Sequence, residues 1–309
     1  MKASYEYGWY VPAGGRGHRL HPLTAHLPKP LLPVRVGEGT HTIERIIDYP
    51  LSLAIKYGGK IAVSSCYMGD LVNKHVYDNY SGYGIATLNG EDPDAAPAGA
   101  LGLAMETGVY DSNRIIFLPS DAYILPRTLS GFLRSSLENK SDVTMLVSTN
   151  LEGNDLVRVN PSGYVVGGEG QALGILGVYA LSTSWLTRRL EQLGALGDYD
   201  IRTDIVLPEN VPAGKIHTYV ADGPWKFRDL GTVSSYGEFV MRENSASRVC
   251  FEPSNVFEGI DNIIAMPGSS VSAFPETVLQ NSKVIANFNA VVNEVSVPLT
   301  VDSGWAIIE

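Results

Sequence analysis

The sequence predicts an α/β protein: a mostly parallel, doubly wound (Rossmann-like) sheet over residues 1–244, followed by a short β-helix-like segment over 245–309. Two observations predict it. From the start to about residue 240, short β-prone runs alternate with helix-like runs, the pattern of a parallel sheet covered by helices. After about residue 248 helical periodicity disappears, and Leu279, Ile285, Val291 and Val297 recur every six residues while Asn281, Asn287 and Asn293 keep the same step. One inward aliphatic with a turn-tolerant Asn two positions later suits short strands wound as a solenoid; the alternative is a loop-rich β tail with accidental spacing.

The first strand is expected at 9–12, in the segment YEYGWYV, which is aromatic and polar where a buried parallel strand is usually aliphatic. A helix is expected over 43–57, because Ile43, Ile46, Ile47 and Leu51 fall at helical spacing, with a kink at Pro50. Strand 60–66 with helix 70–80, strand 85–88 with helix 98–107, and strand 114–119 with helix 127–139 continue the alternation. Strands 143–149 and 175–181, helix 184–193, strand 216–220 and helix 233–242 complete it.

At 309 residues, 44% hydrophobic and 18% charged, the chain can bury one large core plus a smaller appendage. A formal charge of −10 excludes a general affinity for nucleic acid or an anionic membrane, although a local basic pocket stays open. The opening MKASYEYGWYVPAGG has no basic region followed by an apolar core, and no stretch is long enough to cross a bilayer, so a cytoplasmic location is expected. The two cysteines, Cys66 and Cys250, have no metal-site partners and read as reduced thiols, structural or incidental.

The most informative segment is PAGGRGHRLHPLTAHLPKPLLPV at 12–34, directly after the first strand. A glycine-rich turn there lets backbone N–H groups crowd against phosphate oxygens, with Arg19 and Lys29 adding positive charge. Taken alone, such a glycine cluster reads equally as a structural turn. It lacks the GK[ST] ending of a Walker loop and the third glycine of a dinucleotide fingerprint, which leaves an NAD-type oxidoreductase without support.

The extended string resembles the signature of the sugar-1-phosphate nucleotidylyltransferases: a glycine loop, Arg-Leu, Pro-Leu-Thr and Pro-Lys-Pro. The stretch RIIDYPLSLAIKYGG at 45–59 is most similar to ADP-glucose pyrophosphorylase (glucose-1-phosphate adenylyltransferase) members. The resemblance covers about residues 9–244 and implies transfer of a nucleoside monophosphate from an NTP to a sugar 1-phosphate, with pyrophosphate leaving. It implies a nucleotide loop of Ala13, Gly14, Gly15, Arg16, Gly17 and His18, and base contacts around Glu91, Ala98 and Gly99, where Ala96-Pro97 replaces the family's Gly-Thr. It assigns Arg19 and Lys29 to catalysis, Arg19 on the pyrophosphate side and Lys29 toward the α-phosphate or sugar phosphate. Asp121 and Asp229 are implied as Mg²⁺ ligands, and Gly177, Tyr179 and Glu169 as sugar-pocket residues. It also implies that the tail is a shortened left-handed β-helix. For isolated Ser-Asp or Asp-Leu-Gly strings, helix caps would be the better reading of the two aspartates.

His18 stands where the family has Thr or Ser, and touches phosphate or solvent; His21 and His26 lack ligand-spaced neighbours and read as solvated. Asp198, Asp200 and Asp204 read as a solvated acidic turn. The chain departs from the family at VVGGEGQALGILG, where Glu169 survives but no lysine accompanies it to hold the sugar phosphate. That departure leaves open a cyclitol phosphate in place of glucose 1-phosphate, and a second class of function, a non-catalytic regulatory or sugar-nucleotide-binding protein. ATP is the expected nucleotide, with GTP next. The short tail argues against allosteric control of the ADP-glucose type and toward a homodimer that caps the exposed solenoid.

Overall fold

The computed structural model describes residues 6–21, 23–24, 27–36, 43–90, 100–104, 107–151, 155–194, 199–206, 211–212, 214–221, 227–232, 235–236 and 239, and the C-terminal strand segments 262–265, 271–273, 288–292, 295–302 and 305–308. In chain order the elements are β1 (Tyr7–Pro12), β2 (Pro33–Val36), β3 (Ile43–Arg45), α1 (Asp48–Tyr57), β4 (Lys60–Ser65), α2 (Gly69–Tyr80), β5 (Ala86–Asn89), α3 (Leu101–Ala104), β6 (Arg114–Phe117), β7 (Ala122–Ile124), α4 (Pro126–Glu138), β8 (Val143–Ser148), β9 (Leu156–Val159), β10 (Gln171–Ser182), α5 (Thr183–Leu193), β11 (Ile216–Val220) and β12 (Phe227–Asp229). The C-terminal strands are β13 (Asn262–Ala265), β14 (Val271–Ala273), β15 (Phe288–Val292), β16 (Val295–Asp302) and β17 (Trp305–Ile308). Two compact units result: the first holds residues 1–16 and 47–229, the second 17–46 and 230–309.

The first unit is an α/β fold on a mixed, largely parallel sheet of order β11-β8-β10-β6-β1-β4-β5, with β9 also paired to β10. The pairs β1–β4, β1–β6, β4–β5 and β8–β11 are parallel. The long β10 is the exception, antiparallel to β6, β8 and β9, with an irregularity between Ile175 and Tyr179. α1 packs on β1, α2 on β4 and β5, α4 on β8 and β11, and α5 on β10.

The polar, aromatic first strand occupies the middle of this sheet, where Trp9 and Tyr10 are fully buried. It can do so because each ring's polar atom is satisfied. Trp9 Nε1 donates to Gly58 O at 2.8 Å, and the Tyr10 and Ser64 hydroxyls bond at 2.8 Å. Gly59 makes room alongside: its φ is +108°, and a Cβ there would stand 2.1 Å from Tyr7 O.

Three sequence expectations change. Residues 43–45 form β3, antiparallel to β2, and α1 begins only at Asp48. Pro50 therefore kinks nothing: it sits in the first turn, where its missing N–H has no helical acceptor to lose. Second, α3 begins at Leu101 and is described to Ala104, while residues 105–106 and most of the helix expected at 233–242 lie outside the described residues.

The third change concerns the tail. A left-handed β-helix stacks its coils in parallel, but the described C-terminal strands run β13-β17-β16-β15-β14 with β14–β15, β15–β16 and β16–β17 antiparallel. Only β13–β17 is parallel among them. Of the six-residue series, Val291 lies on β15 and Val297 on β16, while Leu279, Ile285 and the three asparagines lie outside the described residues. Because Val292 pairs with Val295 across a tight reversal, a six-residue step returns Val297 opposite Ala290, beside Val291. Val291 pairs with Ser296, so Val291 and Val297 lie on opposite faces of the β15–β16 ladder and their six-residue step is not a repeat of one inward position.

Candidate functional site

The parallel strands β1, β4, β5 and β6 direct their carboxyl ends to one edge of the first unit's sheet, the edge at which open α/β sheets hold ligands. The loop Ala13–Arg16 leaves β1 there and is pinned from both sides. Ala13 N–H donates to Ser64 O at 2.7 Å and Tyr67 N–H to Gly14 O at 3.0 Å; on the other side Ser120 N–H donates to Pro12 O at 3.2 Å. Gly14 is required by this close approach, since a Cβ there would meet the Cβ and backbone N of Cys66 at 3.1 Å. Gly15 is exposed, with nothing within 4 Å of where its Cβ would stand. Cys66 forms no disulfide among the described residues, and its Cβ packs against the loop at Gly14.

Arg16 carries the loop's positive charge. Its Cζ lies 5.6 Å from the centroid of the Tyr67 ring, within cation–π range. The turn that presents Tyr67 holds Met68 at φ +48°, a left-handed conformation unusual for a side-chain-bearing residue. Gly69 N–H closes that turn onto Cys66 O at 2.9 Å, and α2 follows.

Strand register brings the two candidate metal aspartates to neighbouring backbone positions. Asp121 directly precedes β7, and β12 pairs antiparallel with β7 so that Asp229 stands opposite Ala122. The β7–β12 ribbon is clamped to α1: Tyr49 stacks on Tyr123 with centroids 4.1 Å apart, and its hydroxyl donates to Ile124 O at 2.6 Å. Asp229 is exposed and Asp121 half-buried. Hard oxygen donors in a pair fit Mg²⁺, which commonly takes one or two carboxylates and completes its shell with phosphate and water. Among the described residues no group of three or more His, Cys, Asp or Glu side chains is gathered to hold a metal by itself.

On β10, Gly177 (φ +74°) faces the loop before β7, its would-be Cβ 3.9 Å from Pro119. Tyr179, expected in the sugar pocket, is 2% exposed and packs edge-on against Phe117. Burial pushes its phenol well above the usual range, with Asp200 and Asp155 adding to the shift and Arg202 opposing it. Glu169 is exposed just before β10. Beside it Arg158 of β9 donates to Gly170 O at 3.2 Å, so the cation bonded next to Glu169 is an arginine from another strand. Asp200 is a cap: its Oδ1 accepts from the N–H groups of Arg202 and Thr203, each at 2.8 Å. Arg202 forms an ion pair with Asp155.

The rest of the signature belongs to the second unit. Gly17 takes φ +66°, and its carbonyl accepts from Leu20 N–H at 2.8 Å and Thr24 Oγ1 at 3.1 Å. A Cβ on Gly17 would press on Lys29 Cβ at 3.1 Å, so the glycine turn and the Pro-Lys-Pro segment fold on each other. His18 and Arg19 are exposed on a 3-10 turn and Lys29 is half-buried on a second one. Glu91, Ala98 and Gly99 lie outside the described residues, as does His26. Ser64, Cys66 and Tyr67 are the positions around the loop that the sequence motif does not name. Their one available signal was position, at the carboxyl end of the strand that follows the glycine loop.

Residues 11–155 match the family model described as nucleotidyl transferase. The chain is 26% identical to a glucose-1-phosphate adenylyltransferase of Roseobacter denitrificans, covering 74% of this chain and 62% of that protein. It is likewise 26% identical to the enzyme of that name from a Jannaschia species, over 74% of this chain and 63% of the relative, so the chain spans under two thirds of either. The crystal structure of HddC from Yersinia pseudotuberculosis, complexed with GMP-PN, shares the fold at a TM-score of 0.56 and 18% identity, covering 77% of this chain and 99% of that one. No helix among the described residues is long and apolar enough to cross a membrane. The chain is thus similar to the nucleotidyl transferase family over residues 11–155, to two glucose-1-phosphate adenylyltransferases in sequence and to HddC in fold.

Proposed function

We propose that this chain is a nucleotidylyltransferase that joins the nucleoside monophosphate of an NTP to a sugar or cyclitol 1-phosphate and releases pyrophosphate. The observation that carries the reading is the β7–β12 register, which sets Asp229 opposite Ala122 and so next to Asp121, on the unit whose sheet edge launches the glycine loop. Two anions must meet in such a reaction, an acceptor phosphate oxygen and the α-phosphorus of the NTP, so positive charge has to be arranged around both. Asp121 and Asp229 would hold Mg²⁺, which when bound neutralises phosphate oxygens. The proposed roles of the other residues follow from charge. Arg16, with Ala13, Gly14, Gly15, Gly17 and His18, receives the polyphosphate. Arg19 stabilises the leaving pyrophosphate, and Lys29 the α-phosphate or acceptor phosphate. Glu91, Ala98 and Gly99 are proposed to contact the base, and Gly177, Tyr179 and Glu169 to line the acceptor site, with Arg158, which donates to Gly170 O, as a cation beside Glu169.

ATP is proposed as the first nucleotide, supported by the adenylyltransferase relatives, and GTP as the second, supported by the GMP-PN complex of a protein of the same fold. We take residues 1–244 as the catalytic region, 245–309 as an appended region, a homodimer as the assembly and the cytoplasm as the compartment. The test is pyrophosphate release by the purified chain with Mg²⁺, scanning ATP, GTP, dTTP, UTP and CTP against a panel of sugar and cyclitol 1-phosphates. Release that needs one NTP and one acceptor supports the transferase; nucleotide binding with silence across the panel favours a regulatory protein.

A further inference from the structure

We infer that Tyr67 is a positioning residue for the nucleotide's polyphosphate, acting through Arg16. The inference rests on the nucleotidylyltransferase reading and adds to it a residue outside the glycine loop. An arginine side chain has several rotatable bonds, and an exposed one samples many directions; a guanidinium laid over an aromatic face is confined to a plane. Arg16 Cζ stands 5.6 Å from the Tyr67 ring centroid. A cation held over the ring at that distance keeps its N–H donors open to the paired bonds that phosphate oxygens accept.

The support beneath Arg16 is itself fixed. Tyr67 N–H donates to Gly14 O at 3.0 Å, so one residue ties down the loop's backbone and lies under its charged side chain. The following residue, Met68, is held at φ +48° and ψ 38°, and left-handed strain at a non-glycine persists only where its surroundings determine it. The adjoining bonds do so: Gly69 N–H to Cys66 O at 2.9 Å and Leu71 N–H to Met68 O at 3.0 Å. The turn after β4 is thus shaped to present an aromatic face at the sheet's carboxyl edge, and the group on that face is the cation of the glycine loop. The ligand this arrangement fits is a planar or tetrahedral polyanion, the diphosphate or triphosphate of a nucleotide.

The experiment is calorimetric titration of the full chain with ATP and with GTP in the presence of Mg²⁺, for wild type, Tyr67→Leu, Tyr67→Phe, Arg16→Ala and the Arg16→Ala/Tyr67→Leu double variant. Leucine keeps apolar bulk but has no π face, so Tyr67→Leu weakens nucleotide binding by about 3- to 10-fold. Tyr67→Phe keeps the face and stays within about twofold of wild type. In the Arg16→Ala background Tyr67→Leu causes no further loss, because the residue acts only through that guanidinium. Equal loss with and without Arg16, equal loss in Phe and Leu, or no loss in Leu overturns the inference alone. If the folded wild type binds neither nucleotide, the transferase reading falls and the inference with it.

Discussion

The hydroxyl pair Tyr10–Ser64 explains how an aromatic strand sits at the centre of a sheet, and it makes a measurable claim. Tyr10 is fully buried and Ser64 6% exposed, and their oxygens stand 2.8 Å apart between β1 and β4. Burial pushes the Tyr10 phenol well above its usual range, so it stays a neutral hydroxyl throughout the stable pH range. Removing one partner leaves the other buried without it, at a cost of about 1–3 kcal/mol; removing both removes the desolvated pair and can be nearly neutral. Tyr10→Phe and Ser64→Ala are each expected to lower stability by about that amount, while the double variant loses less than the larger single loss, a coupling of about 1 kcal/mol or more. Urea denaturation followed by tryptophan fluorescence measures this, because buried Trp9 and Trp185 report on the same unit. Strictly additive losses would refute the reasoning, for they would mean that each hydroxyl has another partner that matters more.

Asp121→Asn and Asp229→Asn should each fold as wild type and lose Mg²⁺-dependent pyrophosphate release by at least about 100-fold; near-normal turnover in either folded variant removes that aspartate from the metal site. Gly59→Ala combines a left-handed φ of +108° with a Cβ 2.1 Å from Tyr7 O, so it should cost about 3 kcal/mol or more, and an unchanged melting temperature would show that β1 and β4 can part locally. His217, packed edge-on against Tyr164 at 5.0 Å and facing Asn139 Nδ2 across 3.3 Å, is held below its ordinary pKa of 6.5 by burial. The unfolded chain therefore binds the proton more readily than the folded one, and stability should fall as pH drops below about 6.5. The part of that pH slope due to His217 should disappear in His217→Gln, and an identical slope in the variant would mean that other groups carry it.

Fold class was legible in the sequence because alternation of β-prone and helical runs is a local property, and the strands at 60–65, 114–117, 143–148 and 216–220 fall where that alternation put them. What the pattern does not carry is direction. β10 is as apolar as its neighbours, yet it runs antiparallel between β6 and β8, and nothing within QALGILGVYALS encodes which way it must be entered. The apolar spacing at 43–51 was also ambiguous: Ile43 begins a strand residue, Ile46 and Ile47 are buried outside any helix, and only Leu51 belongs to α1. A helical period can be met by residues of three different local conformations when the window is short.

The candidate site divides in the same way. The glycine loop could be read directly because its chemistry is contiguous: Gly14 must be glycine on account of Cys66, and Arg16 is two residues away. Asp121 and Asp229 could be named individually, but what brings them to neighbouring positions is the register of two three-residue strands held by Tyr49, an aromatic that no motif marks. Tyr179 shows the converse. Expected in the sugar pocket as part of a matching string, it is buried on β10 against Phe117. Neighbouring positions on one strand face opposite ways, so a matched motif transfers a backbone segment more securely than it transfers the role of each side chain on it.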